Sequence, residues 1–298
     1  MITALIPDNK RSISPSSMNT WYRCPRLYYH KYIQRLSEPS SLPAIKGNIV
    51  HTVLQMFYAT YENNLLKRSM TLLKKHWVIP KDLDLTEKEI AEAYTDCENL
   101  LKLFIAILEM KLNAVMSGGK AENKRHAFYL TRPKFAEMKI KNEKYNLIGI
   151  IDAVVEGFDK RITIQDYKTG SIYRDVIGED VTRQLSFYVL LYYLDTGVYP
   201  SSVVANYVRY GVQPTLPVTP SMIENITRDI NHFITYTQSD DIKDYPMKEN
   251  KLCNHPKYQC TFFNMCAGNQ CASRDKQLEL ADVFGVKKEE KKEDKDDK

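Results

Sequence analysis

Residues 162–170 read Ile162-Thr163-Ile164-Gln165-Asp166-Tyr167-Lys168-Thr169-Gly170. Their alternating β-branched residues are typical of a β-strand. Side chains alternate between the two faces of a strand, so Asp166 and Lys168 share one face with the isoleucines that begin the stretch. A charge in line with a buried face is unfavourable unless it forms an ion pair or binds a metal. We therefore expect a functional site where this strand ends.

A second carboxylate belongs to the same predicted site. Asp152 lies in a strand predicted over residues 145–156, and residues 157–160 read as a tight hairpin turn, so the antiparallel return brings Asp152 near Asp166. Two carboxylates and a lysine suit metal-assisted phosphodiester hydrolysis, because the acids hold Mg²⁺ while Lys168 orients water or stabilises the developing charge. The alternative is a surface salt bridge at a strand end, since so short a pattern recurs freely.

Length and hydropathy bound the class of protein. A chain of 298 residues with this composition can bury one substantial core or two modest ones. The longest apolar run, around residues 100–110, is broken by Lys102 and Glu109, and residues 1–20 lack a signal-peptide pattern. We therefore expect a cytoplasmic protein without membrane contact.

The net positive charge lies in the body of the chain. The formal charge is +5, and residues 287–298 hold six lysines against six acids, so the excess lies before them. Residues 10–46 hold seven Lys or Arg against one acid, with interleaved aromatic residues: Trp21, Tyr22, Tyr28, Tyr29 and Tyr32. This mixture suits phosphates and stacked bases. It equally fits a solvated basic helix whose aromatic side chains face the core.

The cysteines indicate a metal site. The chain has six: Cys24, Cys97, Cys253, Cys260, Cys266 and Cys271. Clustered thiols in a cytosolic protein indicate metal rather than disulfides. Cys24 precedes a proline and is expected at a helix start, where the helix dipole favours a thiolate. Cys97 lies in the apolar seam of a long predicted helix and is interpreted as a core thiol.

The remaining pattern alternates helices with strands. Helices are predicted from Ser14-Pro15, over 47–67, over 86–118 with a capping box of Thr86 and Glu89, over 180–195 and over 220–237. Strands are predicted over 127–130, 135–140, 145–156, 162–168 and 202–210. Residues 68–120 are expected to form a helical insertion. Glu137 could add an acidic ligand, although an ordinary strand residue is the plainer interpretation.

Two side chains on the helix over 180–195 could serve a nucleotide. Gln184 and Tyr188 are four residues apart and share a face. One could form hydrogen bonds while the other stacks on a base. The alternative places Tyr188 in the core and Gln184 at its margin. His51 similarly lies beside the apolar stripe of its helix, where a lone histidine is more often an ordinary, partly buried side chain.

Taken in order along the chain, several short motifs resemble the RecB-like branch of the PD-(D/E)XK nucleases. The likeness is strongest to the CRISPR-associated RecB-like exonucleases and the nuclease domain of AddB. The motifs are Ser-Pro-Ser-Ser at 14–17 with Cys24-Pro25-Arg26, Gly-Asn-Ile-Val-His51, Gly-Ile-Ile-Asp152, Gln-Asp166-Tyr-Lys168-Thr-Gly, Gln184-x₃-Tyr188 and the C-terminal cysteines. Each motif is weak alone, and their joint order is specific.

The resemblance implies a fold and a set of roles. The fold is α/β and restriction-endonuclease-like, a central mixed sheet flanked by helices with a helical insertion and a C-terminal cysteine-rich metal-cluster segment. By resemblance, Mg²⁺ or Mn²⁺ is held by His51, Asp152 and Asp166. Lys168 is catalytic together with Asp152 and Asp166, and Gln184 and Tyr188 flank the DNA.

The resemblance also implies a [4Fe–4S] cluster, held by one N-terminal and three C-terminal cysteines. Thiolate ligation of such a cluster is chemically natural. The expected ligands are Cys24, Cys253, Cys260 and Cys266. The family usually places the preceding cysteine three residues ahead of the last pair, where this chain has Lys257. Either the loop is longer and Cys253 ligates, or Cys271 substitutes, or the site differs. Structural zinc is the competing metal because four cysteines suit it too.

These patterns lead to one expected function and two alternatives. Residues 1–283 are expected to form one nuclease domain, with the iron–sulfur segment at residue 24 and 253–271 and a disordered charged tail over 284–298. The expected activity is metal-dependent DNA hydrolysis, by an exonuclease acting on single strands or duplex ends. Its partners would be DNA and a helicase or CRISPR integrase. One alternative is a catalytically inactive iron–sulfur DNA-binding subunit of a helicase or integrase complex. The other is a zinc-stabilised enzyme acting on RNA.

Overall fold

The structure is a computed structural model that describes residues 5–81, 83–170, 177–253, 255 and 259–267. Cys271, Lys257 and the predicted tail over 284–298 lie outside the described residues. The described residues divide into two compact units: those within 5–19 and 39–238, and those within 20–38 and 239–267. Within the described ranges, no helix combines the length and the apolar character needed to cross a membrane.

The first unit is built on a mixed five-stranded sheet. Its strands are β1 (Phe135–Asn142), β2 (Leu147–Glu156), β3 (Ile162–Lys168), β4 (Ser202–Tyr207) and β5 (Thr215–Pro217). They lie side by side in that order. β3 and β4 are parallel and the other neighbours are antiparallel. With its flanking helices, this sheet confirms the predicted α/β class.

Several of the helices begin at predicted signals. They are α1 (Pro15–Arg23), α2 (Pro25–Tyr28), α3 (Leu42–Phe57), α4 (Leu65–His76), α5 (Glu87–Ser117), α6 (Lys124–Thr131), α7 (Glu179–Thr196), α8 (Pro220–Tyr236) and α9 (Phe263–Ala267). The predicted capping box of Thr86 and Glu89 begins α5. Gly197 ends α7 at φ 75°, a left-handed conformation that favours glycine.

The core of the first unit lies between α3, α5 and one face of the sheet. Cys97 is fully buried there, which confirms it as a core thiol. On the opposite face α7 approaches the sheet closely at Gly149. A Cβ at this position would lie 2.8 Å from Leu191 Cδ2 and 3.2 Å from Tyr188 Cε1. The glycine therefore allows the close contact that brings α7 to the predicted site.

The prediction of a strand over 127–130 is wrong, because these residues belong to α6. Asn123 caps that helix by accepting a hydrogen bond from His126 N at 2.9 Å. Ala127, Phe128 and Thr131 are buried at helical spacing. Burial of one helical face therefore outweighs the strand propensity of the segment.

Two other predicted boundaries were also wrong. The single helix predicted over 47–67 is two helices, because α3 ends at Phe57 and Asn64 caps α4 by accepting from Lys67 N. The strand predicted to reach Tyr210 ends at Tyr207. There the amides of Tyr210 and Gly211 both donate to the Tyr207 carbonyl and turn the chain.

The second unit includes the short helix α2. Arg26 is buried and its Nε donates to the Tyr245 carbonyl at 2.7 Å. The Tyr28 ring stacks on Tyr32 at 5.1 Å and on Tyr245 at 6.1 Å. Trp21 and Tyr28 are both 1% exposed. Trp21 and Tyr28 are therefore core residues. This agrees with the interpretation of residues 10–46 as a basic helix whose aromatic side chains face the core.

Candidate active site

The β2–β3 hairpin positions the two predicted carboxylates. Ala153 pairs with Gln165, so Asp152 comes level with the end of β3. Tyr167 N donates to Asp152 Oδ2 at 2.7 Å. Asp152 and Asp166 are only 8% and 2% exposed. The β2–β3 hairpin therefore brings Asp152 to the end of β3, as the sequence pattern predicted.

His51, on α3, faces the same carboxylates. Its Nε2 lies 2.9 Å from the Tyr167 carbonyl oxygen. Because that oxygen can only accept, Nε2 carries the proton and Nδ1 presents its lone pair in the neutral ring. Nδ1 lies 3.3 Å from Asp152 Oδ1 and 3.7 Å from Glu137 Oε1. The backbone contact thus fixes the tautomer that can bind a metal through Nδ1.

Glu137 is the ligand candidate that the sequence indicated least. Its neighbours in β1 pair as Ala136 with Ala153 and Met138 with Ile151, so Glu137 falls across from Asp152. Its backbone has φ 52°, in the left-handed region that side chains rarely adopt. Such conformations concentrate at functional sites. The sequence offered Glu137 only as a possible extra ligand, and the antiparallel register is what places it across from Asp152.

Asp166 and Lys168 are joined by a glutamine. Lys168 Nζ lies 2.7 Å from Asp166 Oδ2 and donates to Gln184 Oε1 at 2.7 Å. Gln184 Nε2 donates to Asp166 Oδ1 at 2.8 Å and to Tyr188 Oη at 3.0 Å. The Gln184 side chain on α7 therefore contacts both Asp166 and Lys168 at the end of β3.

The electrostatics reflect crowded carboxylates around His51. Burial lowers the pKa of His51, but hydrogen bonds with Asp152 and Glu137 outweigh it and raise that pKa to about 10. Burial raises the pKa of Asp166 to about 6. The charge of Lys168 lowers this pKa, and the charge of Asp152 raises it. The carboxylates around His51 therefore stabilise a positive charge placed among them.

The donor set fits a divalent metal. One ligand atom each of His51, Glu137 and Asp152 lies within 4.8 Å of the others. An imidazole nitrogen with carboxylate oxygens suits Mn²⁺, and hard carboxylate oxygens suit Mg²⁺. Asp166 contacts Lys168 and Gln184, and its buried charge interacts with both His51 and Asp152. We call these five residues, His51, Glu137, Asp152, Asp166 and Lys168, the carboxylate site.

The second unit contains a cavity of about 410 Å³ that is lined by four of the cysteines. They are Cys24, Cys253, Cys260 and Cys266, and we call this region the cysteine cavity. Cys24 lies at the start of α2, as predicted, and its Sγ accepts from Lys248 N at 3.5 Å. Burial raises the pKa of the Cys260 and Cys266 thiols. Thiols distant in sequence therefore meet at one cavity.

Comparisons with known proteins place the chain in a family. No curated protein matches the sequence. A crystal structure of a protein named "Putative exonuclease", from Eubacterium rectale, is similar at a TM-score of 0.49 and 12% identity, over 92% of this chain and 93% of that one. The model of the PD-(D/E)XK nuclease superfamily matches residues 12–267, most of the chain. This chain therefore belongs to the PD-(D/E)XK nuclease superfamily.

Proposed function

We propose that this chain is a divalent-metal-dependent deoxyribonuclease, and specifically an exonuclease that degrades single strands or duplex ends. Its superfamily supports phosphodiester hydrolysis. The observation that carries the proposal is the convergence of His51, Glu137 and Asp152 on one point, beside the ion pair of Asp166 and Lys168. An inactive binding subunit would gain nothing from the two buried carboxylates of Asp152 and Asp166, because each charge is costly to bury.

The proposed roles follow from the contacts. His51, Asp152 and Asp166 would hold the metal as the resemblance implies, and Glu137 joins them on geometric grounds. A bound divalent ion neutralises phosphate charge and lowers the pKa of water. Lys168 holds an ammonium group at the site, where it can donate to the attacking water or to a phosphate oxygen.

Gln184 and Tyr188 are proposed to act beside the DNA. The resemblance assigns both to the nucleic acid. In the structure Tyr188 is 6% exposed, and its hydroxyl accepts from the Gln184 amide. The same amide contacts Lys168 and Asp166. We propose that Gln184 positions these two side chains next to the scissile phosphate and that Tyr188 holds Gln184 in place.

The cysteine cavity is proposed to hold a [4Fe–4S] cluster. The four thiols line a single cavity of about 410 Å³, which has room for a cluster, and the resemblance favours iron–sulfur over zinc. Thiolate sulfurs are the usual ligands of such clusters. Absorption spectra and iron and zinc contents of anaerobically purified protein test this: iron with a broad band in the blue supports the cluster, and a colourless zinc protein contradicts it.

The motif order supports placing the chain in the RecB-like branch of its superfamily, near the CRISPR-associated exonucleases and AddB. On that basis we propose DNA as substrate and a helicase or CRISPR integrase as partner. Co-purification of the tagged chain with such a protein, resistant to DNase treatment, tests the partner. Recovery of the chain alone contradicts it.

Degradation of end-labelled DNA by anaerobically purified protein tests the proposed activity. Single-stranded and duplex substrates are incubated with Mg²⁺, Mn²⁺ or EDTA. The expected result is metal-dependent cleavage that Lys168→Ala reduces by about a hundredfold or more. Lys88→Ala is the matched control, because that side chain is 85% exposed at the start of α5. Loss of label in single-nucleotide steps indicates exonuclease action.

The binding-subunit alternative predicts a different outcome of the same assay. DNA would be bound but left uncut, and Lys168→Ala would behave like the wild type. Cleavage of RNA in place of DNA would support the zinc-stabilised alternative. Either result contradicts the proposed function.

A further inference from the structure

One ring nitrogen of His30 is buried in the second unit without a partner. His30 is 2% exposed and lies in a single π-helical turn, Tyr29–Ile33, that follows α2. Its Nε2 forms no hydrogen bond with any residue in the described part of the chain. Buried polar atoms are nearly always paired, because an unpaired one is costly. Turns of this kind are rare and frequently lie at functional sites, so we looked for a ligand of Nε2.

His30 lines the cysteine cavity together with the four thiols. Cys24, at the start of α2, precedes it on the same segment of the chain. The His30 ring also packs on Phe262, with centroids 5.2 Å apart. Phe262 lies between Cys260 and Cys266 in the sequence. The imidazole therefore lies against the segment that carries two of the candidate ligands.

A hydrogen bond to Gln34 determines what Nε2 can do. His30 Nδ1 lies 2.6 Å from Gln34 Oε1. Because an amide oxygen can only accept, Nδ1 carries the proton and Nε2 of the neutral ring presents a lone pair. Such a nitrogen cannot donate a hydrogen bond to a thiolate or a sulfide, but it can bind a metal. A hydrogen bond from the other ring nitrogen is the usual support of a histidine ligand.

We propose that His30 is a ligand of the [4Fe–4S] cluster in the cysteine cavity, through Nε2 and together with Cys24, Cys260 and Cys266. The inference rests on the proposed function only in that a cluster occupies the cavity, and it does not depend on nuclease activity. Imidazole is a chemically suitable ligand for iron–sulfur centres, since histidines replace two of the cysteines in Rieske centres.

The cavity offers more donors than such a cluster needs. Four thiols and one imidazole line it, whereas a [4Fe–4S] cluster takes four protein ligands. Cys24 shares the segment of His30, and Cys260 and Cys266 flank the phenyl ring that His30 contacts. Cys253 is half-buried and lies outside these two stretches. A free thiol behaves as a small apolar side chain, so Cys253 can stay unligated at little cost, whereas a buried Nε2 cannot.

Iron contents and absorption spectra of anaerobically purified variants test this ligand set. His30→Ala should lose the band in the blue and most of its iron. Cys253→Ser and Cys271→Ser should keep both. The exposed His126 of α6 provides the matched control, and His126→Ala should resemble the wild type. Retention of iron by His30→Ala, or its loss in either serine variant, overturns the proposed set.

A second variant separates ligation from packing. His30→Cys supplies a thiolate in place of the imidazole and should keep its iron. Its reduction potential should be lower than that of the wild type, because histidine ligands raise the potential of iron–sulfur centres. An unchanged potential in an iron-loaded His30→Cys overturns the proposal.

Pulsed EPR of the wild type decides the question even where a variant fails to fold. Protein carrying ¹⁵N-labelled histidine is reduced with dithionite, and its spectrum should show a histidine nitrogen strongly coupled to the cluster. His126→Ala should keep that coupling, and His30→Cys should lose it. Iron in the wild type without a coupled nitrogen overturns the role of His30 and leaves the cluster in place. Wild type without iron overturns the cluster and this proposal together. None of these measurements involves DNA cleavage, so a failed nuclease assay is a separate result.

Discussion

The carboxylate site and the cysteine cavity hold their side chains in different ways. In the first, protein hydrogen bonds fix the candidate ligands: Tyr167 contacts both His51 and Asp152 through its backbone, and Gln184 contacts Asp166. In the second, Cys253 and Cys260 lie outside helices and strands. Their thiols are half-buried. The carboxylate site is therefore preorganised by hydrogen bonds within the protein, whereas we expect the proposed cluster to order the thiols of the cysteine cavity.

The largest effect should follow from removing a charge of the carboxylate site. Asp152→Asn keeps an acceptor for Tyr167 N and loses the negative charge, so DNA cleavage should fall by about a hundredfold to a thousandfold. The absorption band in the blue that is expected of the proposed cluster should not change. Gel assays of end-labelled DNA and absorption spectra measure both, and Asp159→Asn in the exposed turn is the control. A variant as active as wild type would show that Asp152 has no catalytic role.

The converse change should destabilise the protein through its second unit. Cys266→Ser removes a thiol of the cysteine cavity, so absorption and iron should be lost and the melting temperature should fall by about 5 °C or more. Cys97→Ala is the control, because that thiol is a core residue and its loss should leave the spectrum unchanged. Retention of iron by Cys266→Ser, or its loss in Cys97→Ala, would contradict the assignment.

Glu137→Gln tests whether Glu137 is a metal ligand. The amide keeps the shape of the side chain and removes its charge, so Mn²⁺ should bind about tenfold more weakly and activity should recover at higher Mn²⁺. Titration of activity against Mn²⁺ measures this, with Glu143→Gln in the exposed β1–β2 turn as the matched control. An unchanged Mn²⁺ dependence would remove Glu137 from the site.

The smallest effect concerns the support of β3. Asp96 on α5 accepts from Arg209 at 2.6 and 2.8 Å and from Lys46 at 2.6 Å, and Arg209 also donates to the Thr169 carbonyl. Hydrogen bonding with Arg209 lowers the pKa of Asp96 to about 2. At neutral pH, Asp96→Asn should cost about 1–3 kcal/mol of unfolding free energy.

The pH dependence of that cost has a definite sign. A lowered pKa in the folded state means that the contribution is complete above the ordinary value of 3.8 and is lost as the pH falls towards about 2. Urea unfolding of wild type and Asp96→Asn from pH 7 to pH 2.5 should therefore show a constant difference that shrinks below about pH 4. A difference that is as large at pH 2.5 as at pH 7 contradicts the ion pair as its source.

The sequence predicts best what depends on neighbouring residues. The alternation in β3, the hairpin turn and the capping box are local, and all three are confirmed. Glu137 is different, because its place across from Asp152 depends on register and on a left-handed backbone. The resemblance implied the role of His51, and its hydrogen bond to the Tyr167 carbonyl explains its tautomer.

Anomalous diffraction from crystals soaked in Mn²⁺ tests the central claim most directly. Data collected at the manganese edge should show a peak among His51 Nδ1, Glu137 and Asp152 that disappears after soaking in EDTA. Data at the iron edge from the same crystals should show a peak in the cysteine cavity that survives the soak. A manganese peak elsewhere, or none at millimolar Mn²⁺, would contradict the carboxylate site as the metal centre of this nuclease.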